Sequence, residues 1–452
     1  MISPIDPVIL LLRLVMKKLI KYLYLFGALA FIGCSLEAEI SGSASEENTK
    51  PNILLIIADD MGLDSSPGYS VGEVKPVMPQ LTSLFNSGLK FKNFWSNPVC
   101  SPTRSTILTG KYGFRTGVLS AGDNLSSSET SIFNLLNDSA SEYSHALIGK
   151  WHLSNNPSQP TDMGAGYFAG LLSGGVNSYY NWNLTQNGQT AKTASYATSK
   201  FTDLAIDWTG AQSKPWFLWL AYNAPHSPFH LPPSKLHSQG NLPKDNASIE
   251  ANPLPYYLAM IEAMDSEIGR LLNSFSKETL DNTIIFFIGD NGTPSEVVQT
   301  YNNRRAKGSI YQGGINVPLI VSGKNVSRNS SNEEALINGT DLFATILDLA
   351  GTGIFEKNDS KSFKSLLSSS SSSQRKFVYS EKYNSKSFGQ DYTIRNKTHK
   401  YLYFNDGSEA LYDLSDNPFE FPNLLSPNQL PLNEVNSAAK SELVLQLSVI
   451  RN

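Results

Sequence analysis

Cysteine is nearly absent: the 452 residues contain two, Cys34 and Cys100. A framework of several disulfides is therefore excluded. Charge is also scarce, with 17% Asp, Glu, Lys and Arg and a formal net charge of −4. That balance excludes a nucleic-acid binder working by bulk electrostatics. An anionic ligand would need a local cationic pocket instead. The apolar run near the N-terminus, Leu23–Ile32, is too short for a comfortable membrane span. What is present is globular: 40% hydrophobic and 11% aromatic residues, with many Ser, Asn and Gly for loops. The length suits about two or three domains, or one large α/β domain with an appendage.

The stretch "MKKLIKYLYLFGALAFIGCS" starts at Met16, with a basic head, the apolar run, then Gly33-Cys34-Ser35. This is the layout of an export signal. A small residue before Cys34 resembles a bacterial lipoprotein signal, in which that cysteine is lipidated. Phe31 stands where leucine is more usual. The alternative is an uncleaved anchor. Met1–Val15 reads as an upstream stretch before the working start. The expectation is an exported protein, periplasmic or held as a lipoprotein at the outer membrane or cell surface. Its membrane contact would be a lipid on Cys34. Residues 1–34 are then the export segment and 35–50 a polar, flexible tether. If Cys34 is lipidated, Cys100 has no disulfide partner and needs another explanation.

Folded sequence begins at "PNILLIIADD", where Ile53–Ala58 is a continuous apolar run ending in Asp59-Asp60. It fits a strand buried on both faces. "HALIGKWH", "WFLWLAY", "NTIIFFIGDNG" and "VPLIVSG" read as further strands. "MPQLTSLFNSG", "STILTG" after Cys100, "YYLAMIEAMDSEIGRLLNSF" and "TDLFATILDLAG" read as helices. This alternation predicts an α/β fold: a large, mostly parallel sheet flanked by helices over residues 51–360. Beyond the tract Ser368–Ser373, the short patterns "KFVYSEKY", "DYTIRN", "HKYLYF" and "EALYDL" predict a smaller antiparallel sheet. A terminal helix completes that C-terminal subdomain, residues 374–452.

Ligands of such sheets bind beyond the carboxyl ends of the strands. Asp59, Asp60, Lys150, His152, Asn223, His226, Asp290 and Asn291 all fall there. The pairs Asp59-Asp60 and Asp290-Asn291 offer four hard oxygen ligands for Ca²⁺ or Mg²⁺. Each pair alone reads more often as a solvated cap; two pairs, each ending a long apolar strand, bring the two readings level. Arg104, Lys150 and Lys307 are candidates for holding an anion. Lys150 and His152, two apart in extended chain, would face the same side. His226 precedes a Pro-rich loop at a strand end, a suitable place for a general acid or base. Among the other histidines, His145 reads as structural and His230 as a rim or structural residue. His237 and His399 read as surface residues.

"CSPTRSTILTGKYGFRTG", from Cys100, resembles the signature of the formylglycine-dependent sulfatases, members of the alkaline phosphatase-like superfamily. "PNILLIIADDMG", "IGKWHL", "APHSPFHLP", "GDNG", "KGSIYQGG" and "YDLSDNPFEFPNL" are similar to the family's remaining blocks, in the family's order. The resemblance implies a sulfuric ester hydrolase. Cys100 would be oxidised to formylglycine by a formylglycine-generating enzyme, with Pro102 and Arg104 in its recognition motif. The hydrated aldehyde offers one hydroxyl to attack sulfur and a second to expel sulfate. Asp59, Asp60, Asp290, Asn291 and modified Cys100 would hold the metal, Ca²⁺ rather than Mg²⁺. Arg104 and Lys150 would steady the diol and sulfate, and His152 would take the proton during collapse. His226 and Lys307 would bind sulfate oxygen and protonate the leaving group. Lys111 fills the signature's basic position and would support the site. One position departs: Gln312 stands where the family more often has Glu.

The substrate expected is a sulfated polysaccharide or oligosaccharide. Gly174–Gly188, rich in aromatics, reads as a sugar-facing rim or as an ordinary surface loop. Two alternatives stand beside this reading. One is a formylglycine-dependent phosphonate or phosphodiester hydrolase, the other a catalytically silent protein that binds sulfated glycans.

Overall fold

Ten strands form one sheet in a computed structural model that describes residues 50–370, 375–385, 388–415 and 417–452. The export segment, the tether up to residue 49 and part of the serine tract lie outside the described residues. Strands β1 (Asn52–Ala58), β2 (Gly88–Trp95), β3 (Ser144–Lys150), β4 (Phe168–Leu171), β5 (Trp182–Gln186), β6 (Gln189–Thr193), β7 (Trp216–Ala221), β8 (Thr283–Gly289), β9 (Leu319–Gly323) and β10 (Ser331–Asn338) lie in the order β10-β2-β9-β8-β1-β7-β3-β4-β5-β6. The run β8-β1-β7-β3-β4 is parallel. Strand β9 is antiparallel to both its neighbours, and β5 and β6 close the far edge as a hairpin. Their two-residue turn is Asn187-Gly188, both at positive φ, as the twist of a tight hairpin requires. The sheet is mixed and mostly parallel, as the sequence predicts.

The apolar run of β1 is sorted by strand alternation. Ile53, Leu55 and Ile57 enter one core, and Leu54, Ile56 and Ala58 the other. Helices α1 (Pro79–Asn86), α3 (Ala197–Gly210) and α4 (Leu254–Ser274) cover the second face through Leu81, Phe201 and Ile261. Helices α2 (Cys100–Thr109) and α5 (Asp341–Leu349) cover the first through Ile107, Leu108, Phe343 and Ile346. Every residue from Ile53 to Ala58 is 0% exposed. Burial on that scale stabilises by about 1.5–3 kcal/mol per large side chain. It also fixes where the polar strand ends emerge.

After a ribbon of β11 (Glu356–Lys357) and β12 (Ser360–Lys361), the chain builds an antiparallel meander. Its strands are β13 (Val378–Asn384), β14 (Gly389–Arg395), β15 (His399–Tyr403) and β16 (Glu409–Asp413). Helix α6 (Glu434–Arg451) lays Leu443 and Leu447 on Tyr379, Ile394, Tyr401 and Leu411. The opposite face, with Leu402, Ala410 and Tyr412, packs on Ile310 of a loop from the large sheet. His399 is not a surface residue. It is 3% exposed, with Nε2 3.0 Å from Asn436 Oδ1 of α6. Its strand is covered by a helix, which alternation alone does not reveal.

Candidate active site

Strands β8, β1, β7 and β3 are parallel neighbours, so their carboxyl ends release side chains into one place. Asp59 and Asp60 follow β1, and Asp290 and Asn291 follow β8. Lys150 ends β3, and Asn223 and His226 follow β7. Helix α2 points its first residue, Cys100, at the same spot. The N-terminus of a helix favours negative charge nearby. Cys100 is 1% exposed, forms no disulfide, and its Sγ lies 3.3 Å from Asp59 Oδ1 and 4.0 Å from Asp60 Oδ1.

Three cations meet the three carboxylates. Lys150 Nζ donates to Asp59 Oδ2 at 2.5 Å, and Lys307 Nζ to Asp60 Oδ2 at 2.5 Å. Arg104 Nη2 donates to Asp290 Oδ2 at 2.8 Å, and its Nη1 to the Lys150 carbonyl at 2.8 Å. Burial raises Asp60, but Lys307, His226 and Lys150 outweigh it and hold the carboxyl at about 2. Asp290 goes the other way. Burial and the Asp59 carboxylate push it up to about 6 against Arg104 and Lys150. Burial, with Asp59 beside it, pushes the Cys100 thiol well above its usual value. This sulfur is no thiolate nucleophile; those need a lowered pKa.

The histidines complete the site in an unexpected way. Extended chain does not carry Lys150 and His152 to the same side, because β3 stops at Lys150 and His152 turns left-handed at φ 56°. Its main chain is pinned instead: the His152 N–H donates to Leu172 O at 3.1 Å, and Ser101 Oγ donates to His152 O at 2.8 Å. Burial, then Lys150 and Arg104, lower its imidazole to about 2, which keeps it neutral. His226 Nδ1 donates to the Ser227 carbonyl at 2.7 Å, leaving Nε2 3.8 Å from Asp60 Oδ2. Burial and Lys150 lower His226 to about 4. Asp60 is also left-handed, at φ 73°. Such backbone costs of order 1–3 kcal/mol and gathers at functional sites.

Oxygen atoms of Asp59, Asp60 and Asp290 and the Cys100 sulfur all lie within 4.8 Å of one another. Asn291 Nδ2 donates to Asp60 Oδ1 at 2.8 Å, while Asn291 Oδ1 is buried with no hydrogen-bond partner among the described residues. A buried amide oxygen of that kind calls for a ligand. Three carboxylates and this oxygen suit a hard divalent cation. The residues fit.

Every candidate of the sequence lies in or at the edge of this site except Lys111, which pairs with Glu129 at 2.6 Å. His230 rests on the Tyr179 ring, with centroids 4.3 Å apart. His145 is structural, its Nε2 2.9 Å from Asn137 Oδ1. His237 is only partly exposed. The Gly174–Gly188 segment is not a rim of open aromatics. Tyr179 and Trp182 are buried, and Tyr180 is the ring exposed, at 41%. Sequence reasoning missed what this segment does. A Cβ on Gly174 would stand 2.4 Å from His152 Nε2, and one on Gly175 3.2 Å from His226 Cε1. A side chain at Gly174 would collide with the His152 ring, and one at Gly175 would press on the His226 ring. The Tyr179 hydroxyl, 2.8 Å and 2.7 Å from the carbonyls of Asn223 and His226, fixes the loop that carries His226. The adjacent Gly174-Gly175 was the one available signal.

The family model described as Sulfatase matches residues 51–352, and the one described as N-sulphoglucosamine sulphohydrolase, C-terminal, matches residues 303–447. The chain is 29% identical over 364 residues to an uncharacterized sulfatase of Escherichia coli, YdeN, covering 68% of this chain and 63% of that protein. It is 24% identical over 487 residues to N-acetylglucosamine-6-O-sulfatase of Bacteroides thetaiotaomicron, covering 86% of this chain and 85% of that protein. The crystal structure of Ps i-CgsB superposes with a TM-score of 0.76 at 25% identity, covering 88% of this chain and 92% of that one. The chain spans 63% of YdeN and 56% of the mouse arylsulfatase J that it matches. With the family match running from the first strand to the end of α5, and its acids and cations gathered at one sheet edge, this chain belongs to the sulfatase family.

Proposed function

We propose that the protein hydrolyses sulfate esters of a sulfated carbohydrate, with Cys100 carried as formylglycine beside a bound Ca²⁺. The observation that carries this reading is the position of Cys100: at a helix N-terminus, buried and 3.3 Å from Asp59, with its thiol pushed well above the usual value by burial and by Asp59. Its sulfur stands in for the oxygens of a hydrated aldehyde. In that form the residue supplies two hydroxyls on one carbon, one for attack on sulfur and one for expelling sulfate. Asp59, Asp60, Asp290, Asn291 and the modified Cys100 would hold the Ca²⁺, which supplies Lewis-acid stabilisation of oxygen charge.

The protein's own groups do the rest. Arg104, Lys150 and Lys307 balance Asp59, Asp60 and Asp290, so a divalent ion leaves the site positive for an anionic ester. Arg104 and Lys150 steady the diol and the sulfate oxygens. Neutral His152, confined by Gly174, accepts the proton that is lost as sulfate departs. Lys307 and His226 are partly exposed and lie against Asp60, within reach of the departing alcohol. They hold sulfate oxygen and deliver the proton to the leaving oxygen. Asp60 holds Lys307 above its usual value, whereas burial and Lys150 hold His226 below its own.

The carbohydrate class is supported by the likeness to N-acetylglucosamine-6-O-sulfatase and by the C-terminal family description. Export, a lipid on Cys34 and maturation by a formylglycine-generating enzyme are proposed from the sequence alone. The test is a panel of position-defined sulfated sugars and matched phosphate esters, with mass spectrometry of the Cys100 peptide from the native host. Sulfate release with an aldehyde mass at Cys100 is expected. Preference for phosphate, or an unmodified thiol with no turnover, would overturn the reading.

A further inference from the structure

Lys307 sits on a loop of the large sheet, yet much of what grips that loop comes from the C-terminal meander and the segment that follows it. On the large-sheet side, the Lys307 N–H donates to Thr293 O at 3.0 Å and the Gly308 N–H to Pro98 O at 2.8 Å. On the other side, Lys382 Nζ donates to Gly308 O at 2.8 Å, and Lys400 Nζ to Ile310 O at 2.8 Å. Glu420 accepts three hydrogen bonds. Its carbonyl accepts from Arg305 Nη1 at 2.8 Å, Oε2 from the Gln312 N–H at 3.0 Å and Oε1 from Lys400 Nζ at 2.7 Å. Ile310 is buried against Leu402, Ala410 and Tyr412. The bonds to Arg305, Gly308, Ile310 and Gln312 therefore bracket Lys307 on both sides in sequence.

Lys400 is 0% and Glu420 1% exposed, and Lys400 also lies over the Trp95 indole, 4.7 Å from its ring centroid. A buried ion pair is weak evidence for stability as such. This one spends its hydrogen bonds on the main chain of a single loop. Glu420 itself is left-handed, at φ 61°. It takes that backbone in order to present its carbonyl and its carboxylate to Arg305 and Gln312 together. Gln312 explains itself here. Its Oε1 accepts from Trp95 Nε1 at 2.9 Å, and the carboxylate that meets its main chain comes from Glu420.

We infer that Glu420 and Lys400, with Lys382, are positioning residues for Lys307: the C-terminal sheet and the segment after it set where that ammonium meets the substrate. The inference rests on the proposed role of Lys307 in sulfate ester hydrolysis. A double-mutant cycle tests it in the full-length, matured enzyme, with kcat/KM for a sulfate ester as readout. Glu420→Gln alone is expected to lose about tenfold or more, and Lys307→Ala more than about a hundredfold. Added to Lys307→Ala, Glu420→Gln should cost less than about threefold, because the group it positions is gone. Lys382→Met, at a half-buried site whose loss leaves the Lys400–Glu420 pair intact, should follow the same pattern and covers a folding failure of Glu420→Gln. Losses that multiply would show a general structural role and overturn the inference alone. A Lys307→Ala enzyme as fast as wild type would overturn the role of Lys307, and the inference with it.

Discussion

Two clusters of buried charge can be compared: the carboxyl edge of the large sheet and the junction of Lys400 with Glu420. Both bury a lysine and a carboxylate and join them at hydrogen-bond distance. They differ in what is left over. At the sheet edge, Arg104 Nε, His152 Nδ1, Asn223 Oδ1 and Asn291 Oδ1 are buried without partners among the described residues, and like-charged Asp59 and Asp290 crowd each other. At the junction, Lys400 has a carbonyl, a carboxylate and an indole face, and both Glu420 oxygens are used. Burial of charge alone therefore does not mark a site. Unspent hydrogen-bonding capacity beside buried charge is the sharper signal, because an unpaired buried polar atom costs about 1–3 kcal/mol that a ligand or an ordered water repays.

Loss of activity with the fold intact breaks the comparison most sharply. Cys100→Ser, Arg104→Ala and His226→Ala are each expected to lose more than about a hundredfold in sulfate release. Near-normal turnover in Cys100→Ser would be the most damaging result, since a serine has no second hydroxyl on its carbon. The junction should answer in stability instead. Lys400→Met leaves Glu420 buried and uncompensated, and should cost about 3–5 kcal/mol in urea denaturation. Its pH dependence has a definite sign. Burial, against Glu420, lowers Lys400 from 10.5 to about 8 in the folded chain. Between those values Lys400 binds more protons in the unfolded chain, so its own contribution to stability rises with pH through that window. The Lys400→Met variant should lack that gain.

Asn291→Ala removes the orphan oxygen and sharpens the contrast by a smaller amount. Thermal melting against added Ca²⁺ should show a midpoint raised about tenfold, whereas Lys400→Met melts lower with its midpoint unchanged. An unchanged midpoint in Asn291→Ala would remove that oxygen from the ligand set.

The sheet edge was legible because its signals are local. A strand buried on both faces must be a continuous apolar run, and the acids that stop it stand at its carboxyl end. Asp59, Asp60, Asp290 and Asn291 followed from that rule. His152 was found for the wrong reason: alternation in extended chain put it beside Lys150, whereas a left-handed turn does so in the fold. Gly174, Gly175 and Tyr179 were not legible as site residues. Their work depends on which strand ends lie beside them, and sequence spacing holds no record of that. His399 and Lys400 open a short alternating strand, where a lysine reads as solvated. Both are buried because one face of that sheet meets α6 and the other meets the Lys307 loop.

The smallest expected effect falls on the residue that departs from its family. Gln312→Glu restores the more usual carboxylate. The Trp95 N–H keeps an acceptor, because a carboxylate oxygen replaces the amide oxygen. The Gln312 N–H that meets Glu420 belongs to the main chain and is unaffected. The added charge must be buried, which is unfavourable, but Lys400 lies over the face of the same indole and offsets part of that cost. The expected outcome is a kcat/KM within about threefold of wild type and a melting temperature within a few degrees, since a change of about 1 kcal/mol moves a large domain by no more. A folded Gln312→Glu enzyme that loses tenfold or more would show that neutrality at this position belongs to the grip on Lys307. The junction would then be tuned in charge as well as shape, and its contrast with the sheet edge would narrow.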